Sequence, residues 1–141
     1  MTISFTVFGN AKPKGSTRPF CVNRKQVEQG QRPVIVTTGN NPNAKEWQQL
    51  VSMTAQQHRP DTLYQGAVEI GLHFYFARPK SVSVKKRPYH TVKPDIDKLC
   101  RNILDALSGV VYVDDTQVVK LTASKAYDQA PRVEITVREV E

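Results

Sequence analysis

Cysteine is scarce in this chain, with only Cys21 and Cys100 among 141 residues. Two are too few for a disulfide framework or a structural zinc site. No apolar run is long enough to span a bilayer. The opening MTISFTVFGN carries no charged leader and alternates like a strand, so no signal peptide is expected. Walker-type glycine spacing, internal repeats, low-complexity tracts, heptad seams and domain linkers are all missing. Acid is also in short supply: 13 Asp and Glu stand against 20 Lys and Arg, a net charge of +7. These absences leave one domain, expected to be cytoplasmic, with a surface suited to nucleic acid or another polyanion. A 39% hydrophobic content with Trp47, five Tyr and five Phe is that of a globular chain.

What is present alternates between strand and helix periods. Residues 2–8 set Ile3, Phe5 and Val7 against Ser4, Thr6 and Phe8, a half-buried strand. Asn10 to Phe20 is punctuated by Pro13, Gly15 and Pro19 and reads as a loop. Two short strands are expected around Phe20–Asn23 and Val34–Thr37, joined by a basic turn of Arg24, Lys25 and Arg32. A helix follows from Asn43 to about His58, with Asn43 and Glu46 as a capping-box variant. Its apolar stripe is Ala44, Trp47, Leu50, Val51 and Ala55. Ala67 to Ala77 is the longest strand, with Val68, Ile70, Leu72, Phe74 and Phe76 on one face. Strands are also expected at Val110–Val113, Val118–Tyr127 and from Pro131 onward. The fold class is therefore α+β: a single domain with a mixed, mainly antiparallel sheet and two principal helices packed on it.

The second principal helix carries the chemistry. Pro94 suits a helix start, Asp95 can cap it, and Gly109 supplies a left-handed stop. Between them Ile96, Leu99, Cys100, Ile103, Leu104, Ala106 and Leu107 recur on one side. Asp97, Lys98, Arg101, Asn102, Asp105 and Ser108 fall on the other. Cys100 on the apolar side is expected to behave as a small hydrophobe. Five of the thirteen acids lie between Pro94 and Lys125: Asp95, Asp97, Asp105, Asp114 and Asp115. An acidic knot in a basic chain suits Mg²⁺, which takes hard oxygen ligands from a few carboxylates and substrate phosphate. Singly, Asp95 reads equally as a cap, Asp114-Asp115 as turn chemistry, and Asp105 as an i, i+4 partner of Arg101. The cluster forms if the turn bearing Asp115 folds back over the helix start.

The basic residues flank this knot. Lys12, Lys14 and Arg18 extend from the first loop, either as phosphate contacts or as a solvated surface. The run from Arg78 to Lys93 has six basic residues and no acid. It is expected to be a partly mobile, DNA-contacting loop, with Lys85, Lys86, Arg87 and Lys93 as its phosphate ligands.

Lys-Pro-Asp-Ile-Asp-Lys-Leu at 93–99, Asp-Ala-Leu-Ser-Gly at 105–109 and Val-Asp-Asp-Thr-Gln-Val-Val at 113–119 together resemble the signature of the RusA family of Holliday junction resolvases. The resemblance implies a Mg²⁺-dependent crossover junction endodeoxyribonuclease acting on four-way and related branched DNA as a homodimer, with no small-molecule cofactor and no membrane partner. It places metal-binding aspartates at Asp95, Asp97 and Asp115, with Asp114 beside them, and basic catalytic positions at Arg101 and Lys125. Two positions depart from the family pattern. Lys98 stands where the family has Asn, and Arg101 where it has Lys; a guanidinium cannot exchange a proton. Those departures motivate a rival expectation, a catalytically weakened nucleic-acid-binding module of the same fold. A nuclease preferring flaps or single strands is the other rival.

Overall fold

The computed structural model describes residues 1–15, 18–21, 23–38 and 42–141, with the side chains of 18–21, 35–38 and 42 outside that description. In chain order the elements are β1 (Thr2–Phe8), β2 (Arg18–Cys21), α1 (Arg24–Glu28), β3 (Ile35–Thr38), α2 (Pro42–His58), β4 (Val68–Phe76), α3 (Ile96–Leu107), a 3₁₀ turn (Asp115–Gln117), β5 (Val118–Tyr127) and β6 (Arg132–Glu139). The main sheet has the order β1-β6-β4-β5. Its β1–β6 and β6–β4 pairs are antiparallel, and β4–β5 is parallel. β2 and β3 form a separate antiparallel hairpin.

One face of the sheet makes the core. Val68, Ile70, Leu72, Phe74 and Phe76 of β4, Val133, Ile135 and Val137 of β6, and Phe5 and Val7 of β1 are buried together with Trp47, Val51 and Ala55 of α2 and Leu99, Cys100, Ile103, Ala106 and Leu107 of α3. The period-two and 3.6-residue patterns thus meet as layers of helix on sheet. Gly9 lets α2 approach: at φ 140° it lies where an added Cβ would stand 3.1 Å from the Trp47 ring. The opposite sheet face is polar, with Arg138 on Glu69 at 2.6 Å and Arg132 over the Tyr75 ring at 4.0 Å.

Several expectations are corrected. The segment read as a basic turn contains the short helix α1, and β2 starts inside the span read as loop. α2 begins at Pro42, so Asn43 is already helical and is not its cap. Pro is at home in the first helical position because its missing N–H is unneeded there. Val110–Val113 is not a strand. Gly109, at φ 79°, turns the chain, and the N–H groups of Val110 and Val111 donate back to Leu107 O at 3.1 and 3.0 Å. Val110, Val111 and Tyr112 then plug the core from this turn. A short apolar run reads as a strand because burial alone does not reveal backbone direction.

β5 is an edge strand. A register irregularity between Val68 and Glu69 shifts its pairing, and Val119 and Leu121 are exposed. Beyond it, Lys125 pairs with Phe74 and Tyr127 with Phe76. Both are therefore on the helix-covered side, where the start of α3 lies.

Candidate active site

α3 opens as its sequence predicts but with one difference. Asp95 holds the N-cap position with an extended backbone, φ −68° and ψ 139°, and its side chain makes no capping hydrogen bond. Its carboxylate instead lies 3.8 Å from the Lys98 ammonium. Asp97 is in the first turn and exposed. The site thus begins as two solvent-facing carboxylates at the N-terminal end of a helix.

The turn that delivers them is fastened from β5. The Lys125 ammonium donates to Val92 O at 2.9 Å and to Pro94 O at 3.1 Å. The Lys93–Pro94 peptide between those carbonyls is cis. Lys125 therefore meets the Asp95 turn through backbone oxygens, with both hydrogen bonds charge-assisted.

A second fastening lies on the opposite flank. Asn102 falls on the polar side of α3 by its spacing, yet it is 3% exposed. Its amide donates to Lys12 O and to Ala44 O, both at 3.0 Å. It joins the first loop, α2 and α3 in one residue. Lys14 completes the strap: its N–H donates to Lys98 O at 3.1 Å, and its ammonium pairs with Asp105. The alternative pairing of Asp105 with Arg101 is thereby corrected. Arg101 is exposed and has no hydrogen-bond or ion-pair partner among the described residues, one helical turn beyond Asp97.

Asp114 and Asp115 open the 3₁₀ turn. The Gln117 side-chain oxygen accepts from Val113 and Asp114 N–H, each at 2.9 Å, and its amide donates to Tyr64 O and Gly66 O, each at 2.8 Å. Thr116 Oγ1 donates to Asp114 at 2.9 Å. Gln117 is a second positioning side chain that the sequence presented only as motif. The Tyr112 hydroxyl donates to Leu104 O at 2.8 Å. Burial pushes its pKa well above the ordinary tyrosine value, and the charges of Asp115, Asp105 and Asp114 add to this. Those three acids therefore group electrically with the second half of α3. Asp97 lies seven residues before Leu104, about 10 Å along the axis, and its charge is felt by Cys100. That thiol is pushed up to about 11, by burial first and by Asp97 second. Among the described residues no three His, Cys, Asp or Glu side chains are grouped tightly enough to hold a metal ion.

The donor chemistry nevertheless fits Mg²⁺. This ion binds through one or two carboxylates and completes its shell with water and substrate phosphate. Asp95 and Asp97, neither engaged in capping, supply that number from one turn.

The basic loop 78–93 is pinned at several points. The Arg78 guanidinium lies 4.2 Å over the Tyr127 ring and donates to Ser83 O at 3.2 Å and to Arg87 O. Arg87 donates to the Tyr127 hydroxyl at 3.3 Å. His90 is buried, stacked on Phe76 at 4.4 Å and tilted against Tyr127 at 5.0 Å. Burial, then the charge of Lys125 and, more weakly, of Arg87, lower its pKa, opposed by a backbone hydrogen bond. Its Nδ1 is buried without a partner among the described residues. Of the expected phosphate ligands here, Lys85, Lys86 and Lys93 are exposed, whereas Arg87 faces Tyr127. In the first loop Lys12 is partly exposed and Lys14 faces Asp105. The Arg18 side chain lies outside the described residues.

Residues 10–138, which contain every one of these positions, match the family Endodeoxyribonuclease RusA. The chain belongs to the RusA family. It is 37% identical over 147 residues to the uncharacterized protein YqaN of Bacillus subtilis (strain 168), covering 98% of this chain and 96% of that relative. It is also 34% identical over 76 residues to the crossover junction endodeoxyribonuclease rusA of Lactococcus phage r1t, covering 52% of this chain and 55% of the phage protein. RusA membership puts the chain in a nuclease family, that of the Holliday junction resolvases, with DNA as its partner. Among the described residues no helix is long and apolar enough to cross a membrane.

Proposed function

We propose that this RusA-family protein is a Mg²⁺-dependent endonuclease that hydrolyses phosphodiesters in branched DNA, four-way junctions above all. The observation that carries the reading is the start of α3. Two solvent-facing carboxylates, Asp95 and Asp97, stand free of capping bonds amid Lys93, Lys98 and Arg101, in a chain of net charge +7. Asp95 and Asp97 would hold Mg²⁺, its shell completed by water and substrate phosphate, while Asp115 and Asp114 lie toward the second half of α3 and would reach the ion only through a shift of their turn. The bound ion would acidify an attacking water and neutralise charge developing on the phosphate.

The chain's own residues then divide the remaining work. Arg101, unpaired and one turn from Asp97, presents a fork of donors to the phosphate oxygens and stabilises the added charge of the transition state. It acts electrostatically, since guanidinium does not give up its proton. Lys125 holds the turn that presents the carboxylates. Lys12, Lys85, Lys86 and Lys93 attract and register the DNA backbone. A four-way junction is two-fold symmetric, so two matched cuts call for a homodimer.

One contact favours a second reading. The Lys98 ammonium at 3.8 Å from Asp95 occupies the carboxylate that a cation would use, as expected of a weakened nuclease that still binds DNA. A labelled four-way junction incubated with and without millimolar Mg²⁺ separates the two. Metal-dependent nicking that disappears in Asp97→Asn, with junction binding retained or tightened, is the expected result. Binding without nicking by the wild type sinks the catalytic reading, and near-normal nicking by Asp97→Asn removes Asp97 from the metal site.

A further inference from the structure

Among the described residues the large exposed apolar side chains include only two aromatics, Phe8 and Tyr89. Tyr89 is 74% exposed, yet its backbone is fixed on both sides. His90 beside it is buried in the Phe76–Tyr127 slot, the Thr91 N–H donates to Tyr89 O at 2.9 Å, and Arg78 holds Arg87 O two residues earlier. The ring is therefore presented by an anchored frame, so little ordering would be lost when a flat ligand meets it.

Its surroundings select the ligand. The run 78–93 holds six basic residues and no acid, with Lys85, Lys86 and Lys93 exposed. Cations track a polyanion backbone while an aromatic face accepts its bases. The position is close to the proposed chemistry. His90 docks at Tyr127, and Val92 and Pro94 dock at Lys125. Tyr127 and Lys125 are next-but-one neighbours on the same side of β5, about 7 Å apart. Tyr89 precedes Asp95 by six residues, which limits their separation to about 20 Å, a span of a few nucleotides. A linear duplex keeps its base faces stacked and offers nothing to such a ring.

We propose that Tyr89 is a stacking platform for an unstacked DNA base flanking the cleaved phosphate, and that it contributes selectivity for branched over linear DNA. This rests on the endonuclease reading above. The test uses the full-length protein without divalent metal, so that binding is read apart from cutting. The probes are a four-way junction carrying 2-aminopurine at the branch point and a linear duplex of equal length. The wild type is expected to prefer the junction and to change the 2-aminopurine fluorescence. Tyr89→Ala, a surface change, should lose that signal and weaken junction binding about 5- to 150-fold, the effect of one base–aromatic stack, with duplex binding unchanged. Tyr89→Phe and Tyr89→Trp should keep both. If the wild type shows no junction preference, the branched-DNA reading falls and this proposal with it. If it shows the preference and Tyr89→Ala retains signal and affinity, only the tyrosine proposal is overturned. Equal loss on junction and duplex, or no rescue by Phe, also overturns it.

Discussion

Replacing Lys125 by Met distinguishes two jobs for this ammonium. A positively charged residue near a scissile phosphate invites a role in proton or charge transfer. In the structure its donors go to Val92 O and Pro94 O at 2.9 and 3.1 Å, bracketing the turn into Asp95. Lys125→Met keeps the stem and removes both bonds. Hydrogen bonds to a charged donor contribute about 1.5–3 kcal/mol each, and the partly exposed setting argues for the lower end, about 3 kcal/mol for the pair. That energy acts on the placement of two carboxylates, where a displacement of about 1 Å can cost about 10²-fold in rate.

The assay is the initial cleavage rate of a four-way junction, measured against Mg²⁺ concentration and against pH. A turn that is loosened but chemically intact should demand more Mg²⁺, recover part of its rate at high metal, and keep the shape of its pH profile. Lys125→Arg, which can still reach carbonyl oxygens, should fall between wild type and Met. Loss of the basic limb of the profile in Lys125→Met, with a rate deficit equal at every Mg²⁺ concentration, would refute positioning and restore a proton-transfer role. A wild-type rate in Lys125→Met would refute both.

Asn102→Ala strands Lys12 O beneath α3 and takes from Ala44 O the bond it accepts beyond that of its own helix, which should cost about 1–3 kcal/mol, read as a fall of roughly 3–10 °C in Tm for a chain of this length; an unchanged melt would mean that the strap is idle. His90 has a folded pKa below its unfolded value near 6.5, so the unfolded state binds more protons in that window, and stability should fall as pH drops below about 6.5. His90→Phe keeps the stack without the titration and should flatten that fall in pH-dependent melts, whereas a parallel curve would exclude His90 as its source. Lys85→Ala with Lys86→Ala should lower the slope of log K against log salt by up to about two, and an unchanged slope would leave both lysines as solvated surface.

Much of the fold was legible because burial imposes a period. The alternation over β4 and the 3.6-residue stripe of α3 survive intact in the core, and Gly109 marks the end of α3 by its positive φ. Errors came where period and environment part company. Val110, Val111 and Tyr112 are apolar for the sake of a buried turn, and nothing in three residues separates that from a strand. Asn102 looked like surface because its type is polar; its burial follows from two carbonyls supplied by segments 58 and 90 residues away, which periodicity cannot see. An Asn on the margin of an apolar stripe was the available hint.

The same limit explains what the motif conveyed about the site and what it did not. Spacing along α3 puts Asp97 and Arg101 one turn apart, and local geometry keeps that true in any fold that contains the helix. Asp105 is one further turn along, and its choice between Arg101 and Lys14 is not local. The first loop decides it, because Asn102 holds Lys12 and the Lys98 carbonyl receives the Lys14 N–H. Lys14 thereby neutralises Asp105 and leaves Arg101 facing solvent beside the paired carboxylates. Lys14, expected to contact DNA, instead satisfies one acid from within the protein and leaves the helix's only arginine unpaired, as the phosphate role proposed for Arg101 requires. The consequence is specific. Lys14→Ala should draw Arg101 toward Asp105, and junction cleavage should drop by more than binding does. Adding Asp105→Asn should restore much of the rate, since it removes the competing charge. Two defects that add instead of cancelling would show that Lys14 meets the DNA directly.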